Sequence, residues 1–263
     1  MTFLEIAIFN PASALVAYTS GGADRLELCA DGSSTNGGTT PTLTTLECVI
    51  GSLSSSPHHR GQWRNSIPIY TMVRPRGGDF VYSDEEFEVM KQQLRELKQA
   101  DYSSRSNYGF GKVSGLVFGI LTRDGKVDKP RNEELVRLAA PLPCTFHRAF
   151  DQVIQAGNRR GQNGVSEQVR NELENVIDAG FAAILTSGGE ETAVDGAEMI
   201  AALTTAADGR ITIIAGGGVR SKNVHELRKK TGTLVFHSSA VLERGSDLAS
   251  PEEVRGLKRE LLT

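Results

Sequence analysis

Short apolar runs rich in β-branched residues recur along the chain at 3–9, 24–29, 67–73, 113–120, 142–147, 182–186, 211–215 and 233–237. Each has strand length, and the segments between them carry helical rather than alternating periodicity. The clearest helix has Phe87, Met90, Leu94 and Leu97 at i, i+3, i+7 and i+10, one apolar stripe. Start signals stand at Asn10-Pro11 and Thr40-Pro41, and in the capping boxes Ser83 with Glu86 and Ser250 with Glu253. A β-α order repeated eight times predicts a single (β/α)8 TIM barrel over residues 1–263, the α/β class that typically needs about 250 residues. An open doubly wound sheet would have fewer units and a dinucleotide-type glycine loop.

Strand side chains alternate between faces, so the set that packs on helices can be separated from the set that points down the barrel axis. In the first strand Leu4, Ile6 and Ile8 form the outward set and leave Glu5 and Ala7 inside. In the second, Leu26 and Leu28 face out and leave Arg25, Glu27 and Cys29 inside. The same alternation sends Arg74, His147 and His237 inward. A barrel interior is normally filled by Val, Ile and Leu, so this ionisable set needs a reason. One reason is structural, with Arg25 and Arg74 neutralising Glu5 and Glu27. The other is a functional site, because Arg74, His147 and His237 close their strands at the C-terminal edge, where barrel enzymes place their chemistry.

Two segments concentrate that chemistry: R-P-R-G-G-D-F at 74–80 and T-F-H-R-A-F-D at 145–151. Arg74 and Arg76 flank Pro75 and resemble an anion clamp, two guanidiniums able to take a carboxylate or phosphate. The plainer reading has Asp79 pairing with Arg76 to hold the loop. His147 suits a general base or a metal ligand, or a hydrogen-bonded core residue, and Arg148 follows it. After the seventh strand, A-G-G-G-V-R at 215–220 includes Gly216 and Gly217, and the eighth ends in His237-Ser238-Ser239. Barrels often bind phosphate after these strands, and Ser187 in Ser187-Gly188-Gly189 extends the patch. Tight-turn geometry alone would also use the glycines.

The 263 residues are 39% hydrophobic and 23% charged with a formal net charge of −3, as expected of one soluble domain with a large core. The start Met1-Thr2-Phe3-Leu4-Glu5 has no basic leader, and no apolar run approaches a bilayer span, so secretion and membrane partners are not expected. Cys29, Cys48 and Cys144 are too scattered for a disulfide framework and fit a reducing, cytoplasmic compartment. No basic stripe marks the chain for nucleic acid. Polar stretches at 54–65, 101–112 and 155–164 read as surface insertions, and His58-His59 in the first has no further ligand at metal spacing.

The chain resembles the CutC-type copper homeostasis proteins. The residues that carry this are G-A-D-R-L-E-L-C at 22–29, G-G-T-T-P-T at 37–42, R-P-R-G-G-D-F-V-Y-S at 74–83 and T-F-H-R-A-F-D at 145–151. L-T-S-G at 185–188, A-G-G-G-V at 215–219 and H-S-S-A at 237–240 continue the pattern. The resemblance implies a cytosolic barrel, often a homo-oligomer, linked to copper. Relatives commonly carry Cys where this chain has Ala7, so only Cys29 of an interior thiol pair remains, and the segment 241–250 is short.

Cu(I) prefers thiolate and thioether ligands, and the sequence offers no C-x-x-C, no Met cluster and one inward thiol. Two functions follow, beside a third reading as a scaffold whose site is vestigial. One is copper handling with weak Cu(I) binding through Cys29. The other is an enzyme acting on a small anionic or phosphorylated metabolite. Here Glu27, Arg74 and His147 would be catalytic, and Glu5, Arg76, Asp79, Arg148, Ser187, Gly216, Gly217, His237 and Ser238 would bind substrate.

Overall fold

The computed structural model describes residues 2–56, 66–103, 111–158, 164–243 and 245–263. Eight parallel strands close into a barrel in sequence order: β1 (Phe3–Ile8), β2 (Arg25–Leu28), β3 (Ile69–Met72), β4 (Gly115–Phe118), β5 (Cys144–Phe146), β6 (Ala183–Thr186), β7 (Thr212–Gly216) and β8 (Val235–Ser238). The expected (β/α)8 TIM barrel is therefore the observed fold. The described helices are α1 (Pro11–Thr19), α2 (Leu43–Ser54), α3 (Asp84–Gln99), α4 (Lys129–Ala139), α5 (Ala149–Gly157), α6 (Glu167–Asp178), α7 (Ala197–Ala207), α8 (Val224–Thr231) and α9 (Pro251–Leu262). The extra helix lies between β5 and β6, where α5 and α6 share one crossover.

Local chemistry explains most helix starts. Asn10 accepts from the Ser13 amide and Pro11 fills the first turn, where its missing N–H costs nothing. Ser83 and Glu86 form the full reciprocal capping box of α3, and Phe87, Met90, Leu94 and Leu97 are all buried. Two expectations need correction. Thr42, not Thr40, caps α2. Ser250 caps α9 through the Glu253 amide, but the Glu253 carboxylate reaches instead to the amide and hydroxyl of Ser221. That bond ties the last helix to the loop after β7.

The barrel has two apolar regions, as the strand alternation predicts. Leu4, Ile6, Ile8, Leu26, Leu28, Ile69, Val73, Phe118 and Phe146 belong to the large core between strands and helices. Ala7, Phe9, Cys29, Met72 and Val117 form a small cluster inside the barrel, and Ala183, Leu185 and Ile214 a second. The remaining interior is polar. Of the three presumed insertions, residues 57–65, 104–110 and 159–163 lie outside the described residues, including His58 and His59. Residues 155–157 complete α5 rather than forming loop.

Candidate active site at the barrel mouth

A cavity of about 460 Å³ opens at the C-terminal ends of the strands. Its walls include Glu27, Cys29, Arg74, His147, Arg148 and His237, so most of the expected interior converges on one space. Gly217 and Ser238 also line it. Glu5 does not; it is buried between Arg25 and His237, with which it pairs in register on the two neighbouring strands. Arg25 points inward at the opposite end, lining a separate cavity with Phe3, Tyr70 and Thr145.

Under the mouth runs a chain of charges. Arg25 Nε donates to one oxygen of Glu5, and Glu5 Oε1 lies 2.7 Å from His237 Nδ1. Burial alone would raise the Glu5 pKa, but the bonds to His237 and Arg25 outweigh it and hold Glu5 below the usual carboxylate range. Burial likewise opposes a charge on His237, yet the charge of Glu27 and the bond to Glu5 push its pKa up. Glu27 is 3% exposed, and its Oε2 has no partner among the described residues. Burial, reinforced by the Glu5 charge, lifts its pKa to about 7. A carboxyl so placed exchanges its proton near neutral pH, which is what general acid–base chemistry requires.

His147 is held differently. Its Nδ1 accepts from the Ala149 amide at 3.3 Å, so the neutral ring carries its proton on Nε2. Burial and the adjacent Arg74 charge lower its pKa to about 3. Its ring packs against Phe80, with centroids 4.7 Å apart. A base at neutral pH would need a ring that can take a proton, and this one resists it.

The proposed clamp of Arg74 and Arg76 is not formed. Arg74 is buried, and its terminal nitrogens donate to the carbonyls of Asn36, Gly38 and Gly78 at 2.5, 3.0 and 2.8 Å. Arg74 therefore ties the loops after β2 and β3 together, and does not neutralise Glu27. Arg76 turns outward to Glu86 at 2.5 Å and Asp79 at 2.9 Å. With Asp79 and the capping carboxylate of α3 as its partners, Arg76 holds the loop, the plainer of the two readings. Arg76 and Asp79 lie outside the cavity wall, as does Gly216, the last residue of β7.

Arg148 takes the cationic place at the mouth. Its Nε donates to Asp151 Oδ2 at 2.8 Å and its Nη2 to Ser187 Oγ at 2.7 Å. Ser187 thus positions Arg148 rather than lining the cavity. Asp151 was missed as a site residue, although it closes the T-F-H-R-A-F-D segment. Its Oδ1 accepts from Thr186 Oγ1, the Ser187 amide and the Gly189 amide at 2.5, 2.9 and 3.1 Å, which locks the end of β6 to α5. Arg220, the last residue of A-G-G-G-V-R, was missed as well. It lines the cavity and bonds Ser238 Oγ at 3.2 Å. An arginine one residue beyond a glycine loop was the available signal.

Residues 2–242 match the CutC family. The chain belongs to the CutC family. The copper homeostasis protein cutC homologs of Homo sapiens and Mus musculus are each 38% identical over 245 residues, 93% of this chain and 76% of the relative. A solved CutC copper homeostasis protein from Streptococcus agalactiae superposes with a TM-score of 0.70 at 27% identity, covering 91% of this chain and 99% of that one. The N-(5'-phosphoribosyl)anthranilate isomerase of Pyrococcus furiosus, at 13% identity and a TM-score of 0.56, is similar in fold alone; the alignment covers 100% of this chain and 99% of that one.

The donor set can be tested against Cu(I) directly. Cys29 is buried, and burial together with Glu27 pushes its thiol well above the ordinary range, so it is not the thiolate that Cu(I) prefers. Glu27 Oε1 lies 3.8 Å from its sulfur. Cys144 is buried on the outward face of its strand, its thiol raised to about 12 chiefly by burial, and Cys48 is exposed on α2. Neither can join Cys29. Atoms of Glu5, Glu27 and His237 lie within 4.8 Å of one another, an oxygen and nitrogen set harder than Cu(I) favours.

Proposed function

We propose that this CutC-family protein binds a small anionic metabolite at the barrel mouth and moves a proton on it. The reading rests on Glu27, a buried carboxyl poised near pH 7 in a cavity whose wall also carries Arg148, a guanidinium with one nitrogen that no described residue takes. In this reading Glu27 gives or takes the proton. The Arg25–Glu5–His237 chain keeps the adjacent imidazole oriented, and the neutral His147 serves as a hydrogen-bonding wall rather than as the base. Cytoplasmic location and self-association are part of this reading, the first supported by cysteine usage and both by resemblance to the family; no described helix is long and apolar enough to cross a membrane.

The test is a thermal-shift screen of phosphorylated and carboxylated metabolites, followed by exchange of substrate C–H protons into heavy water. A stabilising ligand should exchange with the wild type and not with Glu27→Gln, while Glu27→Gln still binds it. If no anion raises the melting temperature, the proposal fails.

A second reading treats copper as cargo. It is favoured by Cys29 and Met72, neighbours across β2 and β3 that both line the cavity and pair one thiol with one thioether. Two soft donors, a thioether and a thiol that must lose its proton to bind, support a weak Cu(I) site at most. Titration with Cu(I) against a competing chelator should show affinity that falls in Cys29→Ser; unchanged affinity removes this site.

A further inference from the structure

The anion pocket has a sector whose donors are unused. Gly217 and Gly218 both adopt positive φ, +102° and +67°, and both line the cavity. Among the described residues, no group accepts a hydrogen bond from the amides of Gly217, Gly218 or Ser239. Gly217 and Ser239 are half-buried and Gly218 is exposed, so the three amides, on two adjacent strand ends, meet no competing acceptor from the described residues and stay available to a ligand. Arg148 completes the sector. Asp151 and Ser187 occupy its Nε and Nη2, and no acceptor among the described residues takes Nη1. A Cβ added at Gly217 would lie 3.4 Å from Nη1, so this free donor faces the same backbone. No other residue type permits that approach: a side chain at Gly217 would be strained by its φ and would crowd the guanidinium.

We propose that this sector is a phosphate subsite and that the metabolite is a phosphate monoester, its phosphoryl group held by the amides of Gly217, Gly218 and Ser239 and by Arg148 Nη1. The assignment rests on the reading of the mouth as an anion pocket and narrows it to one class of substrate. Three amides and a guanidinium approach from two loops and a third strand end. Such a spread of donors matches a tetrahedral dianion with three free oxygens better than a planar carboxylate, which one guanidinium satisfies in its own plane. The Asp151 carboxyl on the cavity wall does not compete, because it is committed to Arg148 and three further donors. Asp151 and Ser187 are positioning residues, since they act on the ligand only through Arg148. With the phosphoryl group at the β7–β8 rim, the body of the monoester extends across the cavity toward Glu27 and His147.

The experiment uses the full chain labelled with ¹⁵N and titrated with inorganic phosphate, glycerol 3-phosphate and malonate. Phosphate and glycerol 3-phosphate should shift the amide resonances of Gly217, Gly218 and Ser239 downfield, and Arg148→Gln should weaken both by roughly ten- to a hundredfold, one charge-assisted contact. Should malonate move these amides as strongly as the phosphates do, the subsite is a general anion site and the phosphate assignment is overturned while the pocket reading stands. No shift at these amides with any anion overturns the subsite. Anion binding elsewhere in the cavity would then keep the pocket reading, and its complete absence would remove both. The wild-type shifts decide the matter even where Arg148→Gln folds poorly.

Discussion

Asp151 offers the most direct test of how the site is built. Its side chain is 8% exposed, with one oxygen accepting from a hydroxyl and two amides and the other from Arg148 Nε. In Asp151→Ala the Thr186 hydroxyl and the Ser187 and Gly189 amides lose their acceptor inside the protein, and each buried unmade donor costs about 1–3 kcal/mol. Water entry and loop relaxation recover part of this, so the expected loss is about 3–5 kcal/mol, the range for breaking a buried charged cluster. Asp151→Asn keeps an oxygen for the three buried donors and loses only the ion pair. Because Arg148 is 42% exposed, that loss should be about 1 kcal/mol. Equilibrium urea unfolding followed by circular dichroism, with the slopes compared between variants, measures both. The reasoning is refuted if Asp151→Ala costs less than about 1 kcal/mol, or if the two variants are equally destabilised.

Three further outcomes are expected. Glu27 has its pKa raised by folding from 4.5 to about 7, so the stability it lends is full below 4.5 and is lost as pH rises through 7. Glu27→Gln should therefore be more stable than the wild type by about 1–3 kcal/mol at pH 8, with the gap closing below pH 4.5; melting curves across pH would show the crossover. His147 shifts the other way, from 6.5 to about 3, so its contribution is complete above 6.5 and is lost as pH falls toward 3. Urea midpoints at successive pH values should decline less steeply in His147→Gln, by up to about 1.4 kcal/mol per pH unit. Arg76→Gln breaks ion pairs of a side chain that is 37% exposed, and should cost less than about 1 kcal/mol and leave anion affinity unchanged in a calorimetric titration.

The interior of the barrel was legible because strand alternation is a local rule. Once Leu4, Ile6 and Ile8 face the helices, Glu5 and Ala7 have nowhere to go but inward, and the same holds for Glu27 and Cys29 against Leu26 and Leu28. The clamp of Arg74 and Arg76 was not legible in the same way. Two arginines flanking one proline look equivalent in sequence, but one is buried against the carbonyls of Asn36, Gly38 and Gly78 and the other is claimed by Glu86 ten residues on. Asp151 was hidden for a related reason. Its three buried donors come from residues 186, 187 and 189, which only the packing of α5 beside β6 brings to it.

By itself, then, the order of apolar runs determined the eight-stranded barrel and which ionisable residues enter it, because both depend on periodicity along the chain. The tertiary structure decided which of those groups remain available for chemistry. Arginine and carboxylate seek partners wherever packing offers them, and a charge already paired with a carbonyl or an acid cannot serve a ligand. That competition is settled in space. It commits Arg74 and Arg76 to the scaffold, leaves Glu27 buried without a partner at one oxygen, and leaves Arg148 with a free nitrogen beside the glycine loop.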